Sequence, residues 1–244
     1  MPSCRALLAL AFVCAGAPAT AQDPFEIQVY EYATVPRRKY DLEMHFNHTF
    51  KGEVQSHLTF EFTRGITDYF ETGVYVLTSS RPGVVGEFAG LHIRPRFRLP
   101  EGMLPVKFSL SSEFGFPQVP FETAKMTLEL RPIFEWRWGS VDIDVNPTLG
   151  KVLRGPGSDS AWDFEPSARL GLPEMGKWQW SLEYFGGMGE ITKLDPVKAQ
   201  RHQFYPGFDY NYSDTVILNA GVGFGATSAG NQIMAKMRLG WIFP

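Results

Sequence analysis

From Tyr40 to Phe243 the chain runs through about a dozen segments of roughly ten residues in which apolar and polar side chains alternate. Within those segments no Asp, Glu, Lys or Arg falls on the apolar parity. A strand points successive side chains to opposite faces, so the pattern demands two environments, one of which admits no charge. A closed β-barrel in a membrane supplies both, because lipid meets every second side chain and a wet lumen meets the others. The predicted fold is all-β: a closed antiparallel transmembrane barrel of about 12 strands over residues 40–243.

Three segments illustrate the rule. Leu42, Met44, Phe46 and Phe50 oppose Asp41, Glu43, His45 and Asn47. Leu91, Ile93, Phe97 and Leu99 oppose His92, Arg94, Arg96 and Arg98. Met126, Leu128, Leu130, Phe134, Trp136 and Trp138 oppose Thr127, Glu129, Arg131, Glu135 and Arg137. A slip of one residue would turn a charged row toward lipid, so register is strongly specified. Five prolines, Pro95, Pro132, Pro147, Pro166 and Pro206, sit on the outward parity and oppose the pattern. Proline cannot donate to a ladder, and bulges or ladder breaks are the expected accommodation.

A soluble sandwich also alternates, with its apolar face inward. Connection lengths separate the two. Those at Gly65–Asp68, Pro100–Gly102, Gly139-Ser140, Pro173–Lys177 and Ser213–Thr215 are short, and those at Ser79–Ala89, Pro117–Ala124, Gly150–Ala161 and Gly187–Gln200 are long. Short periplasmic turns and longer outer loops follow, with shorter exceptions on the outer side at Lys51–Val54 and Thr227–Asn231. Trp136, Trp138, Trp178, Trp180 and Trp241 fall toward the predicted periplasmic ends, as an interfacial aromatic girdle does. The ending Trp241-Ile242-Phe243 resembles the C-terminal signal read by the barrel-assembly machinery, although Pro244 departs from the usual ending.

The N-terminus reads as an export signal over residues 1–21. Arg5 is the positive region, Ala6–Ala15 the apolar region, and Ala19-Thr20-Ala21 a cleavage site, which places the cut between Ala21 and Gln22. Cys14 raises a lipoprotein alternative, but Ala11-Phe12-Val13 lacks the small residues that modification needs. Cys4 and Cys14 both lie inside the signal, so disulfides are not expected afterwards. Residues 22–39 form a leader; Ile27, Val29 and Tyr30 suit a periplasmic strap or a short plug inside the barrel, with a disordered leader as the other alternative. No later stretch approaches the ~20 consecutive apolar residues of a membrane-spanning helix. The net charge of −3 leaves no basic footprint for nucleic acid. The expected location is the outer membrane of a Gram-negative-type bacterium. The expected partners are membrane lipid, the assembly machinery acting through the last strand, and a small solute.

The inner parity is crowded with charge. His92, Arg94, Arg96, Arg98, Lys107, Arg131, Arg137, Arg169, Lys236 and Arg238 share it with Glu113, Glu129, Glu135, Asp142, Asp144 and Glu183. In one reading the row Arg94-Arg96-Arg98 faces acidic strands and orients a small solute in a pore. In the other the charges fill and largely close the lumen. Mixed signs argue against strong anion or cation selectivity.

Chemistry offers less. His45 and His57, near Glu43 and Glu61, are types that can hold a metal, but such residues more often hydrogen-bond in a wet lumen. A lipid-cleaving enzyme would need an outward Ser-His pair near the outer leaflet. His48 and Ser112 have the parity without a motif joining them. Gly221, Gly223 and Gly225 repeat every two residues as a strand does and leave space in the lumen, unlike a dinucleotide fingerprint. No catalytic residue, cofactor or resident metal is assigned.

The turn and strand Gly65-Ile66-Thr67-Asp68-Tyr69-Phe70-Glu71-Thr72-Gly73-Val74 resembles those of small outer-membrane barrels, the phenol-degradation MetA-pathway type of outer-membrane transporters among them. The resemblance spreads loosely over residues 40–243 and implies a barrel concerned with passage of small molecules, hydrophobic ones included. The leading expectation is therefore a passive channel or uptake protein for small solutes. A non-conducting structural or adhesion barrel is the alternative, and an outer-membrane lipid-modifying enzyme the second.

Overall fold

The computed structural model describes residues 24–119 and 121–244; the signal read over residues 1–21, with its cut between Ala21 and Gln22, lies outside them. The chain forms twelve strands: β1 (Tyr40–Lys51), β2 (Ser56–Thr67), β3 (Phe70–Arg81), β4 (Val84–Arg98), β5 (Lys107–Pro117), β6 (Met126–Trp138), β7 (Val141–Arg154), β8 (Asp163–Gly171), β9 (Trp178–Gly187), β10 (Arg201–Ser213), β11 (Val216–Gly225) and β12 (Ile233–Phe243). Each strand pairs with its sequence neighbour, and β1 pairs antiparallel with β12, so the sheet closes. Closure leaves no unpaired edge, the condition a sheet must meet in lipid. No helix occurs among the described residues, and therefore none long and apolar enough to cross a membrane.

The closing seam shows why this register holds. Leu42 lies opposite Trp241 and Phe62, Met44 opposite Leu239 and Phe60, and Phe46 opposite Met237 and Leu58. These pairs make an apolar outer surface. On the inner parity Glu43, His45, Asn47 and Thr49 are all buried. Charges do reach the outer surface near strand ends. Arg64 places its guanidinium 5.1 Å from the Tyr40 ring at the rim, and Lys151 reaches the Ser158 and Ser160 carbonyls in a loop. Long cationic side chains can snorkel from such positions.

Loop assignment by alternation failed in two places: the loop expected over Gly150–Ala161 begins late, since β7 continues to Arg154, and the larger miss is at β3–β4. Residues 79–89, expected as an outer loop, mostly extend β3 and β4, which turn through Pro82 and Gly83. The register shifts between Leu77 and Thr78, so one extra β4 residue enters near Gly90, which has φ +149°. A bulge of this kind reverses the phase of alternation, which hides the strand from a parity count. The prolines behave differently. The β4–β5 ladder skips from Ile93 to Arg96, the β6–β7 ladder from Leu130 to Phe134, and the β10–β11 ladder from Phe204 to Gly207. Each ladder resumes in its former register after the gap.

Candidate functional site

Residues 24–39 run through the barrel before entering β1. At the loop end Asn47 Nδ2 donates to the Pro24 carbonyl (3.0 Å) and Thr59 Oγ1 to that of Phe25 (3.0 Å). At the end that carries the strand termini, the Val35 amide donates to Glu71 Oε2 (2.5 Å) and the Arg38 amide to the Gly65 carbonyl (2.8 Å). A Cβ on Gly65 would lie 2.3 Å from the Pro36 carbonyl oxygen, so only glycine lets the segment pass there. Arg38 adopts φ +65° where the segment turns into β1.

Between those ends the wall holds the segment mainly by its backbone. The Tyr30 amide donates to Asn146 Oδ1 (2.7 Å), and Asn146 Nδ2 donates to the Tyr30 carbonyl (3.0 Å). Arg96 donates to the carbonyls of Glu31 and, at 2.8 Å, Ala33. The Tyr32 amide donates to Glu135 (2.9 Å), and Lys236 to the Ile27 carbonyl (3.3 Å). These bonds satisfy main-chain groups that have no sheet partner, as burial requires.

The side chains fill the space between the charges. The Tyr30 ring, 2 % exposed, lies 4.8 Å from the Arg94 guanidinium, 5.4 Å from that of Arg96 and 4.3 Å from that of Arg131. The Tyr32 ring lies 5.2 Å from Arg98 and 5.5 Å from Lys107. Cations over aromatic faces attract the ring quadrupole, more strongly when dry. Thus two tyrosines of the chain's own N-terminal segment occupy the arginine row. Two apolar clusters anchor the segment further: Ile27 and Val29 with Phe185, Tyr205 and Met234, and Phe25 with Tyr75, Leu77 and Ala89. Gly223 makes room for Tyr205, whose ring a Cβ there would meet at 2.3 Å.

The charged residues singled out from sequence form pairs. His92 meets Glu113 at 2.6 Å, and Arg131 meets Glu129 at 2.6 Å. Lys107 meets Glu135 at 3.0 Å, Lys236 contacts Glu183, and Arg169 lies 3.5 Å from Asp144. Arg137 and Asp142 pair at 2.6 Å on the exposed rim. Arg98 is only half-buried and donates to the Asp68 carbonyl at 2.7 Å. Several acidic partners fell outside the sequence-derived network. Glu61 pairs with Arg94, Glu71 lies 3.6 Å from Arg96, Glu43 lies 2.7 Å from Arg238, and Asp209 lies 2.5 Å from Arg169. Their inner parity was the available signal. Beside the segment a cavity of about 690 Å³ opens toward the strand-terminus end, lined by Glu31, Asp41, Glu43 and Arg238 among others.

The tryptophans Trp136, Trp138, Trp178, Trp180 and Trp241 all face outward and are exposed, at that same end of the barrel. The enzymatic reading finds little geometry. His48 Nδ1 lies 2.8 Å from Ser56 Oγ and not beside Ser112. Among the described residues no carboxylate orients that ring. His57 lies opposite Asn47 and packs edge-on against the Phe25 ring at 4.5 Å.

No protein-family model matches the chain, and no curated protein matches it in sequence. Among solved structures it resembles the COG4313 outer membrane channel from Pseudomonas putida F1, with a TM-score of 0.59 and 11 % identity over 89 % of this chain and 100 % of that one. It also resembles the KdgM porin, with a TM-score of 0.57 and 8 % identity over 84 % of this chain and 99 % of that one. At such identities the likeness is one of fold: this chain has the closed barrel of outer-membrane porins and channels.

Proposed function

We propose that this protein is a passive outer-membrane channel for small solutes, closed at rest by residues 24–39. The observation that carries this reading is how the segment is held. The bonds from Asn146, Arg96, Glu71, Glu135 and Lys236 all go to its main chain. Water replaces such bonds when the segment leaves, so each contributes only about 1–3 kcal/mol net, the charged partners at the upper end. A displaceable plug in a polar lumen suits a channel better than a permanent filler. The existing cavity gives a solute its first foothold. The channel and porin named above, and the resemblance of Gly65–Val74 to MetA-pathway transporters, support passage of small molecules, hydrophobic ones included.

In this reading the strand termini and the tryptophans face the periplasm, the first residues are an export signal, and the assembly machinery reads β12. No residue is assigned a catalytic role. The paired charges across the lumen favour a second reading, a non-conducting structural barrel. Swelling of proteoliposomes in small sugars and amino acids separates the two. Chain produced from Gln22 gives slow swelling, and a chain beginning at Pro36 gives fast swelling with a size limit. If the shortened chain, folded by its heat-modifiable migration, leaves vesicles as tight as empty ones, the barrel is structural.

A further inference from the structure

One buried cluster is unexplained by plugging alone. Glu26 on the lumen segment, His45 on β1 and Glu61 on β2 each offer a ligand atom, and these atoms lie within 4.8 Å of one another. All three residues are more than nine-tenths buried. Glu43, next but one to His45, brings Oε2 to 3.1 Å from His45 Nε2, and Glu61 Oε2 lies 3.8 Å from the same nitrogen.

The orientation of the carboxylates is informative. Glu43 accepts from Arg238 on Oε1 (2.7 Å), Glu61 accepts from Arg94 and from Thr63 (2.6 Å) on Oε1, and Glu26 accepts from Tyr30 on Oε1. For Glu43 and Glu61 the second oxygen turns toward His45 Nε2. Glu61 Oε2 is buried without a hydrogen-bond partner among the described residues, and His45 Nε2 is met by Glu43 at 3.1 Å and Glu61 at 3.8 Å. Outer partners that fix one carboxylate oxygen and leave the other to converge are what metal sites use to orient their ligands. Ligands of a tetrahedral ion with bonds of ~2.0–2.1 Å sit about 3.3 Å apart. The Glu43 and Glu61 oxygens, 3.1 and 3.8 Å from His45 Nε2, bracket that spacing, and the Glu26 ligand atom lies within 4.8 Å of those of His45 and Glu61.

We propose that Glu26, His45 and Glu61, with Glu43 as a fourth neighbour, bind one divalent transition-metal ion of the zinc class. The imidazole favours such an ion over magnesium or calcium. Because Glu26 belongs to the lumen segment and the other ligands to the wall, the ion staples one to the other. The site stands whether or not the barrel conducts, since the ion itself is the readout.

The test uses the folded barrel in detergent, stripped with a chelator and titrated with zinc chloride by calorimetry and with cobalt chloride by visible absorption. One equivalent per chain is expected, with tetrahedral cobalt bands. His45→Gln abolishes those bands, and Glu26→Gln weakens zinc binding at least tenfold. Glu26 lies outside the strands, so the second variant stays informative if the first fails to fold, which heat-modifiable migration reports. Absence of saturable binding overturns the proposal and leaves His45 as a polar contact between Glu43 and Glu61. Binding that persists unchanged in Glu26→Gln also overturns it.

Discussion

Asn146 clasps Tyr30 by both main-chain groups, accepting from its amide at 2.7 Å and donating to its carbonyl at 3.0 Å. A side-chain amide thus does for one residue of the lumen segment what a neighbouring strand does in a sheet. The pair lies at mid-barrel, where the Tyr30 ring also sits among Arg94, Arg96 and Arg131. Wall and segment meet there through groups that water can replace.

Asn146→Leu removes both bonds. At about 1 kcal/mol net for each, the segment loses roughly 2 kcal/mol of hold, or about a thirtyfold shift toward release. Open probability in planar bilayers is expected to rise by that order with unit conductance unchanged. An unaltered open probability would remove Asn146 from the gate.

Arg96→Glu is the harsher change. It takes away the donor to Glu31 and Ala33 and sets a second carboxylate beside Glu71. Breaking a buried pair typically costs about 3–5 kcal/mol. The variant is expected to conduct more and to lose its heat-resistant folded form at a lower temperature, scored by gel migration. Equal thermal resistance with equal conductance would show that Arg96 holds nothing.

The outer face is tested by charge. Val76 lies mid-strand on β3, between Phe60 and Leu91, and faces outward. An arginine at mid-bilayer on a lipid face costs about 2–4 kcal/mol. Val76→Arg should reduce folding into lipid vesicles in urea titrations by that amount, while Trp138→Arg at the rim, where Trp138 is 81 % exposed, costs far less. Similar losses at both positions would argue that no lipid surrounds the barrel.

Gly223→Val tests the space left for Tyr205. The added Cβ would meet the ring at 2.3 Å, and Tyr205 packs with Ile27 and Val29 of the lumen segment. The ring must move and loosen that cluster, so trypsin is expected to cut at Arg37 or Arg38 faster than in the parent. Unchanged cleavage kinetics would mean that the cluster does not anchor the segment.

The barrel was legible because lipid imposes its rule on every second residue, and Leu42, Met44 and Phe46 against Glu43, His45 and Asn47 obey it without knowledge of the partner strand. The rule breaks where the backbone changes phase, as near Gly90, and there residues 79–89 passed for a loop. The prolines interrupt ladders without shifting register, so alternation runs straight through them. Parity also places charges inside but cannot say which meet. Arg169 with Asp209 and Arg94 with Glu61 depend on the barrel's curvature and on strands far apart in sequence. Least legible was the occupant of the arginine row. The sequence allowed a strap, a plug or a leader for residues 22–39, because three apolar residues do not specify their surroundings. Only closure of the sheet brings Tyr30 and Tyr32 against Arg94, Arg96, Arg98 and Arg131.

Single-channel recording of the chain produced from Gln22, beside the chain beginning at Pro36, separates a displaceable plug from a permanent filler. A displaceable plug gives the longer chain a mostly closed trace with rare, brief steps. The shorter chain then shows long-lived open steps, provided both migrate as folded barrels. Identical traces from the two chains, whether both open or both silent, would contradict the displaceable plug.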